Sequence, residues 1–542
     1  MIRNALLSII TIATALGAAS QNLVDSLQIV ESAQSEDTKY TTYDPVEIRV
    51  SRTEFSVGVV ANAGNSELAP YYIGSNNGGV LTQQYSVLAH ASLEHSIDLH
   101  KRFSWGAGIE AWGGYASSAG YQRYVGDGQF EVQKQHPARV WIQQAYLAAK
   151  YRSIFAVAGQ TYKSSPIVNG KLSSGDLVWS GNARPPVGLR AGFNNFQTIP
   201  FTKGWVQIKG EFGYFRQLDD KWLENHYNYY NHFITTGLWL HYKSLHFRTD
   251  PYQPVVFTIG AQSACQFGGT AKYYKDGQLD HTVKMKADAK AFFRTFIAGS
   301  GGNSAGDSFV EGNHLGTWDI ALEGNLNDGK RLRAYTQWLW EDGSGIGKMN
   351  GFDGLWGLEY RNAVKNPLIE RAVIEYIDFT NQSGPIHWTP NDHEGTPITS
   401  HSSGADDYYH NYIYNGYQSR GMSIGSPFVK SPLYNQDGYM RYRDNVLRGF
   451  HIAMKGYLSP EWTYCLKGSY RKAWGTPIIP RAGSVDDFSM MAQVSFTPWH
   501  GRFLGLWTMT AAVAIDRGKL YGNNWGGMLG ITYSSDFNFK KR

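Results

Sequence analysis

Four groups of residues in this chain are of the types that do chemistry. Gly302, Asn303, Ser304, Ala305 and Gly306 fit the G-x-S-x-G pattern of a hydrolase nucleophile. That pattern activates a serine only on a sharp turn between a strand and a helix. Here it lies in a run of Gly, Ser and Asn, which reads as a loop. His387, His393, Glu394 and His401 offer metal-ligating atoms, but their spacing would not put two histidines on one helical face. Asp406 and Asp407 are adjacent, so in extended chain they point to opposite sides and cannot act as a carboxylate pair. No catalytic, metal or cofactor site is therefore expected, and the chain reads as a non-enzyme.

The fourth group suits binding. One stretch runs Asn225, His226, Tyr227, Asn228, Tyr229, Tyr230, Asn231, His232. The other runs Asp406, Asp407, Tyr408, Tyr409, His410, Asn411, Tyr412, Ile413, Tyr414, Asn415, Gly416, Tyr417. Rings beside amides and carboxylates suit a sugar, because a ring covers its C–H face while the polar groups bond its hydroxyls. Candidate polysaccharide contacts are Tyr229, Tyr230, Asp407, Tyr408, Tyr409, His410, Asn411, Tyr412, Tyr414 and Tyr417. The alternative is that these rings pack on one another or sit in an interface girdle.

Elements that would carry such loops are legible from periodicity. Trp462, Tyr464, Leu466, Gly468 and Tyr470 alternate with Thr463, Cys465, Lys467, Ser469 and Arg471. Val206, Ile208, Phe212 and Tyr214 oppose Gln207, Lys209 and Glu211. Trp318, Ile320 and Leu322 oppose Asp319, Glu323 and Asn325, and Trp525, Leu529, Ile531 and Tyr533 form a last apolar row. Period two with an apolar face flanked by aromatics is what a lipid-facing strand needs. Between Leu238 and Arg248 the apolar row changes face, which predicts a bulge.

About eighteen such segments occur, joined by connections that alternate short and long, as in outer-membrane barrels of antiparallel strands. The short ones include 98–102, 151–153, 249–254, 327–330, 365–367, 458–461 and 498–502. The long ones are 62–82, 116–139, 163–186, 218–236, 268–316, 343–354 and 381–445. The fold expected is all-β, a transmembrane antiparallel β-barrel with long extracellular loops. With the N-terminus in the periplasm, an even strand count returns the C-terminus there.

Composition agrees. Aromatics make up 14% of the chain, including 35 Tyr and 17 Trp, and Gly numbers 60. Arg3, the apolar run from Ala5 to Leu16, then Ala18 and Ser20 read as a signal peptide over 1–20. Residues 21–48 read as a short periplasmic lead-in, and 49–542 as the barrel. The formal charge of +5 falls to +4 once Arg3 leaves, and no basic cluster suggests nucleic acid. Cys265 and Cys465 are the only cysteines; an oxidising periplasm would allow them to pair.

Several blocks resemble the Wzi family of outer-membrane capsule-assembly proteins. They are Ser174–Pro185, Thr202–Trp205, His241–Arg248, Phe352–Tyr360, Asp407–Asn411 and Ile424–Pro427, in the family's order. The resemblance covers about Phe55 to the C-terminus. It implies an eighteen-stranded barrel in the bacterial outer membrane with a lectin-like role, holding capsular polysaccharide at the cell surface. Its partners would be that polysaccharide, outer-membrane lipids and the barrel assembly machinery, with the protein a monomer. The family's better-known branch carries an N-terminal helical bundle, for which 21–48 is too short. A porin for sugars or anions is the alternative, since eighteen strands enclose a channel unless loops fill it.

Overall fold

The computed structural model describes residues 51–299, 310–326, 329–341, 343–348, 350–382, 406–411, 413–498 and 505–537. The signal-peptide and lead-in assignments, the G-x-S-x-G run, the histidine group 387–401 and Tyr412 lie outside the described residues.

Long alternating segments pair with their chain neighbours because each would otherwise leave a row of backbone N–H and C=O groups unmet. In chain order the wall strands are β1 (Thr53–Leu68), β2 (Gln83–His95), β3 (Phe103–Ala116), β4 (Val140–Tyr151), β5 (Ile154–Gln160) and β6 (Val187–Phe193, resumed at Gln197–Thr198). Then come β7 (Val206–Arg216), β8 (Trp239–Thr249), β9 (Val255–Phe267), β10 (Asn313–Asn325), β11 (Arg331–Trp340) and β12 (Gly354–Arg361). The last are β13 (Arg371–Asp378), β14 (Leu447–Tyr457), β15 (Trp462–Gly475), β16 (Pro480–Phe496), β17 (Leu506–Gly518) and β18 (Trp525–Phe537).

Every pairing is antiparallel, and β1 also pairs with β18 over Thr53↔Phe537 to Gly64↔Gly526. The sheet therefore closes on itself. Because the two pieces of β6 both pair with β7, the nineteen segments of this sheet make an eighteen-stranded barrel. The expected fold and strand number are what is seen.

Alternation sets the two faces. Leu147, Leu189, Val513 and Leu529 are among the most exposed apolar side chains and stand outward. Phe103, Trp105, Tyr151 and Trp462 ring one end of this band, and Tyr85, Tyr115 and Trp525 ring the other. Two aromatic girdles bounding an apolar belt are the surface a bilayer demands. Inward, Asp319, Arg471 and Asp487 are wholly or almost wholly buried.

One end carries short turns and the other the long connections, as expected, with two exceptions. At the loop end, β15 turns into β16 through residues 476–479, and β17 into β18 through 519–524. The alternation of lengths thus fails over the last four strands, where there is no large loop to place.

The bulge expected in 238–248 is absent. Strand β8 keeps an unbroken register with β7, from Arg216↔Trp239 to Val206↔Thr249. Leu240 and Tyr242 point inward and are buried, whereas Leu245 and Phe247 are exposed on the outside. The backbone stays regular; what changes along the strand is what fills the lumen beside it. Cys265 and Cys465 stand on β9 and β15, which do not adjoin, and both are free thiols, so the pairing left open above is not formed.

Candidate functional site

The loop half of the lumen is filled by three connections that fold inward. Residues 161–186 leave β5 at Gln160 and return at Val187, a pair in register, so this excursion starts partway down the wall. Its middle is dry: Leu177 and Val178 have no exposure, and Asp176 and Asn182 almost none. The second connection, 69–82, buries Ala69, Tyr71, Tyr72 and Ile73. The third, between β13 and β14, buries Tyr408, Tyr409, Tyr414, Tyr417, Phe428 and Val429.

Wall and plug share one apolar core. Leu240, Tyr242, Leu315, Leu339, Leu355, Ile377 and Leu447 from the strands pack with Leu177, Val178, Trp179, Ile424, Phe428 and Val429 from the loops. Trp179 meets Tyr242 edge-on at 5.6 Å. That contact is why the apolar row of β8 crosses to the inside.

Polar groups lock the plug to the wall. Asp176 accepts hydrogen bonds from the side-chain amides of Gln262 on β9 (3.2 Å) and Gln337 on β11 (2.9 Å). The Gln337 carbonyl accepts from the backbone N–H of Leu177 (3.0 Å). On the opposite side Arg471 of β15 is fully buried, with its guanidinium 3.7 Å from the centre of the Tyr71 ring and 4.7 Å from that of Phe428. Asp487 is its nearest carboxylate, at 3.7 Å. One wall arginine thus grips two different plug loops.

Two of the blocks quoted above for the family resemblance, Ser174–Pro185 and Ile424–Pro427, meet inside this plug. Ser180 N–H donates to the carbonyl of Ile424 (2.9 Å) and Ser180 Oγ to that of Gly425 (2.7 Å). Ser426 Oγ returns a bond to Ser174 O (3.0 Å), and Asn182 Nδ2 donates to Ser423 O (3.0 Å). Glycine is required here: a Cβ on Gly175, whose φ is +112°, would lie 2.5 Å from Pro427 Cδ.

The predicted sugar contacts divide in two. Tyr408, Tyr409, Tyr414 and Tyr417 are buried in the plug, with no ring face open to a polymer. Tyr409 and Tyr417 donate to the carbonyls of Leu177 (2.7 Å) and Val178 (2.8 Å). Tyr408 donates to Asp353 Oδ2 (3.1 Å). Asp407 and His410 are half-buried partners at 2.9 Å, and Asn411 Nδ2 donates to Asn313 Oδ1 (3.1 Å). Self-packing, the alternative reading of this stretch, describes these rings.

Burial also moves the acidity of groups outside the wall. Asp353, in the turn before β12, accepts from the N–H groups of Asn381 (3.1 Å) and Gln382 (2.6 Å). Its carboxyl is nevertheless pushed up to about 7, because burial outweighs those bonds. His226, between Trp222 and Tyr121 (4.5 and 4.3 Å), is pushed down to about 4 by burial.

Tyr229 and Tyr230 sit elsewhere, at the outer edge of the loop end. Two hairpins rise there: one pairs Ala119–Gly126 with Gln129–Gln135, and the other pairs Thr270–Lys275 with Gln278–Lys284. Each turns through Asp-Gly, with φ of 49° and 73° at Asp127 and Gly128, and 48° and 77° at Asp276 and Gly277. Positive φ at both central residues is the turn that matches strand twist. Tyr230 is wedged between the tips, since a Cβ on Gly126 would come 2.6 Å from its hydroxyl and one on Gly277 3.2 Å from its ring.

Around it the rings form a cluster. Tyr124 meets Tyr230 edge-on at 5.1 Å and Phe130 at 5.2 Å, and Phe130 is 56% exposed. Tyr229 is nearly buried beneath, under Arg123 (4.8 Å) and against Tyr274 (4.3 Å). Tyr273 stacks on the exposed His281 at 4.5 Å and 6°. Reading the sequence missed Tyr124, Phe130 and Asp127. The signal was available in the two Asp-Gly pairs, each flanked by aromatic residues.

No protein-family model matches this chain, and neither does any curated protein. Among solved structures it is similar to Wzi of Escherichia coli, an outer-membrane protein involved in group 1 capsule assembly and a carbohydrate-binding β-barrel. Identity is 12%, with 88% of this chain and 83% of that one covered and a TM-score of 0.48. It is also similar to OpdK, an outer-membrane protein of Pseudomonas aeruginosa (8% identity, 90% and 100% covered, TM-score 0.45), and to OccAB2 of Acinetobacter baumannii (10%, 91% and 99%, 0.44). The fold itself, a closed eighteen-stranded antiparallel β-barrel with an apolar belt, is set by its own strand pairing and exposed faces. At these identities the likenesses concern architecture and assign no ligand.

Proposed function

We propose that this barrel resides in the bacterial outer membrane as a non-conducting, lectin-like protein that binds capsular polysaccharide and supports its attachment at the cell surface. The observation carrying this reading is the filled lumen: an apolar core continuous between wall and plug, with Asp176 bonded to two strands. A porin for sugars or anions needs a continuous aqueous path where this core lies. The protein then acts by non-covalent contact, without catalysis, at the loop end facing the medium.

The contact surface in this reading is the rim around Tyr230 rather than the tyrosines of the plug. Tyr124, Phe130 and Tyr230 present rings, and Asp127 and Asp276 at the hairpin tips present carboxylates for hydroxyls. Rigid rings held by hairpins lose little entropy on contact, and a repeating polymer multiplies a weak contact along its length.

The test is the ratio of cell-bound to released polysaccharide in an encapsulated strain carrying a deletion of the gene, complemented with wild-type protein or with Tyr124→Ala/Tyr230→Ala. The deletion strain is expected to make polymer but shed it, and the double variant to shed it also. An unchanged ratio in the deletion strain would remove the capsule role, and an unchanged ratio in the double variant alone would remove the rim.

A further inference from the structure

Below the plug, the turn half of the barrel encloses a cavity of about 600 Å³. Its roof is the start of the 161–186 loop, its walls are β2 to β8, and turn residues Ser96, Leu99, Asn194 and Asn195 line its mouth. The lining carries three cations, Lys163, Arg190 and Lys209, against the carboxylates of Glu211 and Glu94. Glu94 stands at the outer, exposed edge, so the inner part holds one carboxylate among three cations.

Two of these cations have donors without acceptors. Lys163 keeps only 2% of its side chain exposed, and its Nζ makes no hydrogen bond; Glu211 Oε1 is 3.7 Å away and the Tyr242 ring centre 4.0 Å. Arg190 reaches Glu211 Oε2 with NH1 at 3.4 Å, while its buried Nε has no partner. A buried ammonium left without an acceptor is costly, and proteins keep such groups where a ligand completes them. The rest of the lining suits a sugar: amides of Asn194 and Asn195 for hydroxyls, and the rings of Phe155 and Tyr146 for a C–H face. A cavity of this size holds a small polar molecule.

We infer that this blind cavity is a binding site for a sugar acid, whose carboxylate is received by Lys163 and Arg190, with Lys209 beside them. It opens at the end opposite the Tyr230 rim, and it stands or falls independently of that surface.

The test is calorimetric titration of the purified full-length barrel in detergent with glucuronate, glucose and inorganic phosphate at pH 7. Glucuronate is expected to bind at least tenfold more tightly than glucose or phosphate. Lys163→Met should weaken glucuronate at least tenfold, Lys163→Arg should restore most of it, and Lys365→Ala, at an exposed turn residue away from the cavity, should leave it unchanged. Heat-modifiable gel mobility reports folding, and should Lys163→Met not fold, Lys209→Gln decides, with a severalfold loss expected. Equal binding of glucose and glucuronate, no binding, or indifference to the folded variants would overturn the inference. Phosphate binding as tightly as glucuronate would overturn the sugar-acid assignment in favour of a general oxyanion site.

Discussion

Tyr409 donates its hydroxyl hydrogen to the carbonyl of Leu177, 232 residues away in sequence, at 2.7 Å and with no exposure of either side chain. That bond joins two inward-folded loops, and it turns a residue that reads as a sugar platform into part of a plug. Tyr409→Ala is therefore expected to destabilise the folded barrel by about 3–5 kcal/mol, the usual cost of emptying a large aromatic site. Tyr409→Phe should cost about 1–3 kcal/mol, because the Leu177 carbonyl and the Ser426 N–H, which donates to the same hydroxyl at 3.3 Å, both lose that partner. Denaturant unfolding in detergent, followed by tryptophan fluorescence, checks both; equal and small losses would place Tyr409 outside the core.

A second prediction concerns the wall. Leu466 is 42% exposed on the outward row of β15, and Lys467 points into the lumen. Leu466→Arg should cost about 2–4 kcal/mol if it lies near the bilayer midplane. Lys467→Leu should cost much less. Unfolding in lipid vesicles gives both values, and similar costs at the two positions would reverse the faces.

These two residues show which part of the fold is legible in sequence. A strand touching lipid on one side repeats every second residue, so Leu466 and Lys467 declare their faces. Tyr409 gives no such signal, because buried and exposed tyrosines in a loop have the same neighbours in sequence. The stretch Leu177-Val178-Trp179 was the available hint, an apolar run inside a connection. The face change at Leu238–Arg248 was a second hint, since the apolar inward pair Leu240 and Tyr242 records contact with the plug. Both are long-range effects, and periodicity within one strand does not contain them.

Acidity at the plug supplies a third prediction. The Asp353 carboxyl is raised from 3.8 to about 7 by burial. A raised carboxyl favours the folded state fully below its unfolded value, and that stabilisation is lost as pH rises through about 7. Docking of 379–382 and Tyr408 on Asp353 should therefore loosen between about pH 4 and pH 7 and change little above that. Hydrogen exchange at the Gln382 amide, corrected for intrinsic rate, reads this, and Asp353→Asn should abolish the slope. A slope of the opposite sign would contradict the burial of this carboxyl.

Orientation gives a fourth. In a Cys465→Ser background, a cysteine at Glu131, exposed on a loop-end hairpin, should react with a membrane-impermeant thiol reagent on intact cells. One at Ser153, in the turn between β4 and β5, should not. The reverse pattern would put the Tyr230 rim in the periplasm and end its role in holding capsule.

The closed lumen is the claim on which the proposed function depends, and single-channel recording in planar bilayers tests it most directly. The intact barrel should carry no steady current, while Asp176→Ala combined with Gln337→Ala, which frees the plug from β9 and β11, should produce frequent openings. A steady current through the wild-type protein would contradict a closed barrel and return it to the porins.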